Sequence, residues 1–214
     1  MTIDPVDFAS LLCSRLCHDL LSPIGALNNG LELLADEHDP EMRARCLELL
    51  NESARASANK LKFFRLAFGA AGGFGEMVDA REARAAIEGL FGDNHRVKLG
   101  WLVEDATLPK PAIKVLLNLA LIAGDALIRG GQLDVGAESV GGAVEIVVRA
   151  DGPRIVLDQE LRSALAGTQG NAVITPRAAA AYLVQALVAE GNGTVQVSAP
   201  DEPVLLFGAA FRAG

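Results

Sequence analysis

The residues of this chain best able to do chemistry lie together near its start, in the run His18-Asp19-Leu20-Leu21-Ser22-Pro23. They fall inside a segment, 7–34, whose apolar residues recur at helical spacing. On a wheel of about 100° per residue with His18 at zero, Leu12, Cys13, Leu16, Leu20, Ile24, Leu27, Leu31 and Leu34 take the far side. Ser14, Arg15, Ser22, Gly25, Asn29 and Glu32 fall near the histidine. The imidazole is therefore expected on the polar stripe, in water, mid-helix. That position argues against a hydrogen-bonded core histidine but is shared by any solvated surface histidine. A neutral imidazole offers a lone pair on one nitrogen when the other is held protonated, and Asp19 can orient that tautomer or take the proton. Exposure suits a nucleophile whose reaction partners are side chains of other proteins. Pro23 is a second signal: inside a helix it removes one backbone bond, frees the carbonyl of Asp19 and costs about 3 kcal/mol. A plain surface has no need of it.

The run resembles the phosphoacceptor box of sensor histidine kinases, His-Asp/Glu-x-x-Ser/Thr/Asn-Pro, at each defined position. The resemblance implies that His18 is phosphorylated. Ser22, one turn on, is then placed to hydrogen-bond a phosphoryl oxygen or an attacking water. Arg15, one turn back, is placed to balance phosphate charge.

Two long helices must carry this box. The second is expected over 40–68, after the polar turn Ala35-Asp36-Glu37-His38-Asp39, with Asp39 as N-cap and Pro40 as first helical residue. So short a connection makes the two antiparallel neighbours, each about 40 Å long at 1.5 Å per residue. A lone hairpin of that length cannot enclose its own apolar face. A second copy would complete a four-helix bundle, making the protein a homodimer; cover by the C-terminal half of the same chain is the alternative. Cys13 and Cys17, at i and i+4, point to the apolar side away from His18. They read as small core residues and not as metal ligands, as does Cys46. His38 and His95 read as solvated.

Composition limits what else the chain can be. It has 214 residues, half of them hydrophobic, and 27 acids against 19 Lys and Arg give a net charge of −8. That is too apolar for a disordered chain and too acidic, with no basic run, for nucleic acid to be a natural partner. No apolar run reaches the roughly 18 residues of a membrane span, and no signal peptide is visible at the start. With three cysteines and no disulfide framework, a cytoplasmic protein is expected.

Glycines over 69–75 read as a linker. They divide the chain into a hairpin domain, 1–70, and a second domain, 76–214. In the latter, helices are expected over 78–91, 112–128 and 176–190, and strands over 97–103, 132–136, 143–149, 194–198 and 204–211. The fold class is α+β, a helical hairpin followed by a sheet covered by helices. The second domain resembles the ATP-binding sandwich of histidine kinases in outline. Residues 115–123 resemble the kinase helix Asn-Leu-x-x-Asn-Ala, but its metal-holding second Asn falls on Ile122. Residues 148–155 resemble the Asp-Asn-Gly-Pro-Gly-Ile strand end, but the adenine-reading Asp falls on Ala150, or on Asp151 if the register shifts by one. Residues 172–177, before the next helix, lack the glycines that let backbone N–H groups approach phosphates. No cofactor is therefore expected in this chain.

A phosphoacceptor hairpin joined to a sandwich without its ATP residues resembles the ChpT-type histidine phosphotransferases of bacterial cell-cycle phosphorelays. The likeness is strongest over 12–34, with 62–70 and 116–119 similar too. It implies a homodimer that takes a phosphoryl group from the receiver domain of a hybrid histidine kinase and passes it to response regulators such as CtrA and CpdR. The receivers bring the Mg²⁺. It also implies a docking face around His18, including Leu11, Ser14, Leu21, Gly25, Asn28 and Asn29 beside Arg15, with Gly25 keeping the surface low. Two other readings stand beside it: a soluble histidine kinase with a divergent ATP site, and a dimer that binds receivers without being phosphorylated.

Overall fold

The computed structural model describes residues 3–69, 76–92, 96–168 and 174–213. The linker over 70–75, positions 93–94 with His95, and positions 172–173 of the glycine-poor stretch before the last expected helix lie outside the described residues.

Helix α1 spans Pro5–Asp36 and α2 spans Pro40–Ala67. Both begin with an aspartate cap followed by proline: Asp4 accepts from the backbone N–H groups of Val6 and Asp7, and Asp39 from that of Met42. Such caps satisfy donors that a helix start leaves orphaned. Arg43 stitches the turn between the helices, donating to the carbonyls of Leu34 and Glu37 at 3.1 and 2.7 Å.

The remainder is a five-stranded sheet under helices. Its strands are β2 (Val97–Trp101), β4 (Gly131–Val140), β5 (Ala143–Asp151), β6 (Thr194–Val197) and β7 (Leu205–Phe211), in the order β2-β4-β5-β7-β6. Only β2 and β4 are parallel, and α4 (Lys110–Ala126) makes the crossover between them. The turn joining β4 to β5 is two glycines, Gly141 and Gly142, at φ of 59° and 82°, the left-handed conformation that a tight hairpin demands. Along β5, Val144, Ile146, Val148 and Ala150 face the helices and are buried, while their alternates face outward. Against the sheet lie α3 (Ala80–Phe91), α4 and α6 (Ala179–Glu190), with α5 (Gln159–Leu165) at one end.

Four features depart from the expected elements. The helix expected from 78 is preceded by strand β1 (Met77–Asp79), which pairs with β3 (Thr107–Pro109); three-residue strands are too short to show a period. β4 runs on to Val140, through residues expected to be a turn. Helix α5, seven residues capped by Asp158, was not anticipated because two turns carry little periodic signal. The helix expected from 176 opens as a 3-10 turn, Pro176–Ala178, before α6.

The core joins the two halves. Phe63, Phe64, Leu66 and Ala67 at the end of α2 are buried with α3 and α4 in one cluster. Asn118, wholly buried on α4, donates its amide to the carbonyl of Ala67 at 3.1 Å and to that of Lys114 at 2.8 Å. It thereby satisfies one of the carbonyls that α2 leaves open at its end. At the other end of the hairpin, Phe8 packs on Tyr182 of α6, ring centroids 5.1 Å apart. The sandwich thus covers part of the hairpin itself, while much of the hairpin's apolar stripe is left open.

That open stripe corrects the reading of the cysteines. Cys13 and Cys17 are exposed in the single chain, and Cys46 is half-buried. They lie where expected on the wheel, but the face they share with Ile24 and Leu31 is left largely open by the described residues: Ile24 is 43% and Leu31 56% exposed.

Candidate functional site

His18 projects from the middle of α1 with 84% of its side chain exposed. Its Nδ1 lies 3.3 Å from Oδ1 of Asp19. A carboxylate can only accept, so of the two neutral tautomers this contact fits the one with its proton on Nδ1 and its lone pair on Nε2. Asp19 itself is held: its Oδ2 accepts from Nε of Arg15 at 2.7 Å, and its side chain is 18% exposed.

Pro23 is buried within α1. The carbonyl of Asp19, deprived of its helical N–H by that proline, accepts from Nζ of Lys60 at 2.8 Å. Lys60 comes from α2, so the break in one helix is made good by a charge-assisted bond from the other. The sequence flagged the freed carbonyl; its partner, 41 residues away, was not legible.

Ser22 is exposed one turn beyond His18 and borders an open groove of about 910 Å³, whose other walls include Arg55, Asn59 and Lys60 on α2 and Gly89 on α3. Gly89 lets the two helices approach, since a Cβ there would stand 3.1 Å from Cγ of Asn59. Of the other expected docking residues, Ser14, Leu21, Asn28 and Asn29 are exposed, and Leu11 and Gly25 are half-buried. A Cβ on Gly25 would meet no other atom within 4 Å, so the space above it is open to a visitor.

Arg15 is placed differently from an open phosphate ligand. Its side chain is 14% exposed, and its three nitrogens reach Asp19, Asp125 of α4 at 2.9 Å, and the carbonyl of Arg177 at 3.4 Å. Burial alone would lower the Arg15 guanidinium, but Asp125 and Asp19 outweigh it and hold it above its usual range. Asp125 leaves half of its side chain exposed, yet the protein packed around the rest raises its carboxyl above the usual carboxylate range, against the pull of Arg15; the charge of Asp19 adds to the rise and Arg177 opposes it. The signal that could have found Asp125 is its place: an acid in the last turn of a helix, with no basic residue in that turn, calls for a cation from elsewhere.

In the second half of the chain, Ile122 and Ala150 are buried in the core. Asp151, the alternative adenine reader, pairs with Nη2 of Arg149 at 2.6 Å on the outward face of β5. Among the described residues no group of three or more His, Cys, Asp or Glu is gathered as metal ligands would be.

Residues 80–203 match the family described as "Histidine phosphotransferase C-terminal domain". The chain belongs to the histidine phosphotransferases. The phosphotransferase is 32% identical over 205 residues to a curated relative, protein phosphotransferase ChpT of Brucella abortus (strain 2308), covering 96% of each chain. It also superposes on a solved structure described as a bacterial phosphotransferase with a TM-score of 0.85 at 32% identity, over 98% of both chains. No helix among the described residues of the phosphotransferase is long and apolar enough to cross a membrane.

Proposed function

We propose that this phosphotransferase carries phosphoryl groups between receiver-domain aspartates by way of His18, from a hybrid histidine kinase to response regulators of the CtrA and CpdR kind. The observation that carries the reading is an imidazole 84% exposed whose Nδ1 faces a carboxylate held in place. Nε2 attacks the phosphorus of the donor's aspartyl phosphate, the N–P bond forms as the P–O bond to the donor breaks, and the donor leaves as carboxylate. Asp19 steadies the Nδ1 proton while the ring carries positive charge. In the second half-reaction the acceptor's carboxylate attacks phosphorus, and the imidazole leaves with its electron pair. Such transfer proceeds through a loose transition state, so positioning supplies most of the catalysis. Mg²⁺ is expected on the receiver, where it neutralises phosphoryl oxygens.

The receiver docks over Ser14, Leu21, Gly25, Asn28 and Asn29, all beside His18 along α1. A second copy of the chain covers the stripe of Cys13, Cys17, Ile24 and Leu31, together with Leu47, Ala54, Ala58 and Leu61 of α2, which are also exposed. The burial of Ile122 and Ala150 and the outward aim of Asp151 support transfer from a protein donor over autophosphorylation by ATP.

The test is incubation with a receiver domain phosphorylated on its aspartate, followed by mapping of the modified residue. Acid-labile, base-stable label at His18 is expected. In His18→Ala transfer is lost while the fold stands, because the side chain lies almost wholly in water. Labelled phosphate that still moves through His18→Ala would overturn the reading, and strong labelling by ATP alone would make the protein a kinase.

A further inference from the structure

Helix α4 is the most deeply buried element of the sandwich, yet its last turn carries an acid, Asp125, with no basic residue in that turn. A negative charge at a helix C-terminus opposes the helix dipole. The only cation bonded to it in the described residues is Arg15, which comes from α1 at a separation of 110 residues. Arg15 is fully committed there. Nε goes to Asp19, Nη2 to Asp125 and Nη1 to the Arg177 carbonyl. The Arg177 side chain in turn lies 3.5 Å from Asp158, so the anchorage continues into the cap of α5. A planar guanidinium gripped at three points has one orientation, which an ammonium would not. The contacts make an unbroken chain from the end of α4 to the imidazole: Asp125, Arg15, Asp19, His18.

We propose that Asp125 and Arg15 are positioning residues for the phosphoacceptor: the sandwich holds Arg15, Arg15 holds the Asp19 carboxylate, and Asp19 keeps the His18 proton on Nδ1. The idea rests on His18 being the acceptor. Free histidine in water favours the proton on Nε2, the nitrogen that must attack, so a carboxylate loose to turn away returns the ring to its unreactive tautomer. The second domain then contributes to transfer without holding a nucleotide. Its α4 terminus is the fixed point against which the acceptor is set.

The test uses the full-length protein and phosphoramidate as a small phosphoryl donor, which avoids any change in receiver docking. In nitrogen-15 spectra of His18 above the titration of the ring, the wild type shows the Nδ1–H tautomer. Asp125→Ala and Arg15→Gln shift it toward Nε2–H and slow phosphorylation by about three- to tenfold with the melting transition retained. Arg15→Lys restores less than half of the lost rate. The double variant is no slower than Arg15→Gln, as expected of residues in one chain of contacts. Arg84→Ala, which breaks an exposed ion pair with Glu88 on α3, leaves both readouts unchanged. Wild-type tautomer and rate in Asp125→Ala would overturn the proposal, as would a loss of rate that only follows a loss of folded protein. Should Arg15→Gln not fold, Asp125→Ala decides alone. A wild type that takes no phosphoryl group on His18 refutes the acceptor reading instead, and the tautomer spectra still judge the positioning.

Discussion

Helix α1 buries Leu20, Pro23 and Gly30 out of 32 residues, whereas α4 buries thirteen of its 17. α4 is apolar almost all round from Ala112 to Gly124, whereas α1 carries a polar stripe opposite its apolar one, and what surrounds each helix completes the difference. α4 is enclosed by α2, α3, α6 and the sheet, so its apolar residues are the core. α1 has α2 along one side and α6 near its start, and the rest of its apolar stripe is bare. An interior helix stabilises the subunit. A helix half-bare on its apolar side and half-polar on the other has two free faces, one for each of the two partners proposed above. His18 sits on the second kind.

The comparison can be broken most severely in the interior. Phe64→Ala, at the junction of α2 with the sandwich, is expected to cost about 3 to 5 kcal/mol, read from denaturant unfolding. A loss under about 1 kcal/mol would mean that the hairpin end is not part of the core. On the bare stripe the same severity should leave the subunit intact. Leu47 is 50% exposed, and Leu47→Glu is expected to retain the wild-type helical signal while its mass in solution falls to that of one chain. If the wild type already runs as a monomer at high concentration, the second copy is excluded.

Lys60→Met tests the bond that spans the two helices. It leaves the Asp19 carbonyl without its donor in a partly buried place and should lower stability by about 1 to 3 kcal/mol. Amide exchange should quicken in α1 around Asp19 and not in α4. The smallest effect belongs to the surface of the sandwich. Asp79 caps α3, and its hydrogen bonds from Arg81 hold its carboxyl below the usual carboxylate range. A lowered value in the folded state means that the cap's contribution is present above the ordinary carboxylate range and lost as pH falls through the lowered one. Asp79→Ala should therefore melt slightly earlier at neutral pH, with the gap closing in acid. A gap independent of pH would mean that the carboxylate charge is not what stabilises the cap.

Much of the hairpin was legible from its residues. The two helices, the cap and proline that open α2, the turn between them and the outward aim of His18 follow from spacing and local chemistry, and all stand in the structure. The main strands of the sheet were visible from alternation. The pair β1 and β3 was not, nor was α5, because three-residue strands show no alternation and a helix of two turns shows little of its 3.6-residue period. Cys13 and Cys17 show a different limit. A wheel tells which face a residue is on, but not whether the chain supplies anything to cover that face.

The sequence alone determined the run from His18 to Pro23, the helix that displays it and the broken hydrogen bond at Pro23, since each depends on neighbours within a turn or two. Tertiary structure alone decided what holds the box in place. Lys60 reaches the Asp19 carbonyl across 41 residues, Asn118 reaches Ala67 across 51, and Arg15 reaches Asp125 across 110. Contacts at such separations leave no period in the chain, because the geometry that brings their ends together is made by the packing of every element between them.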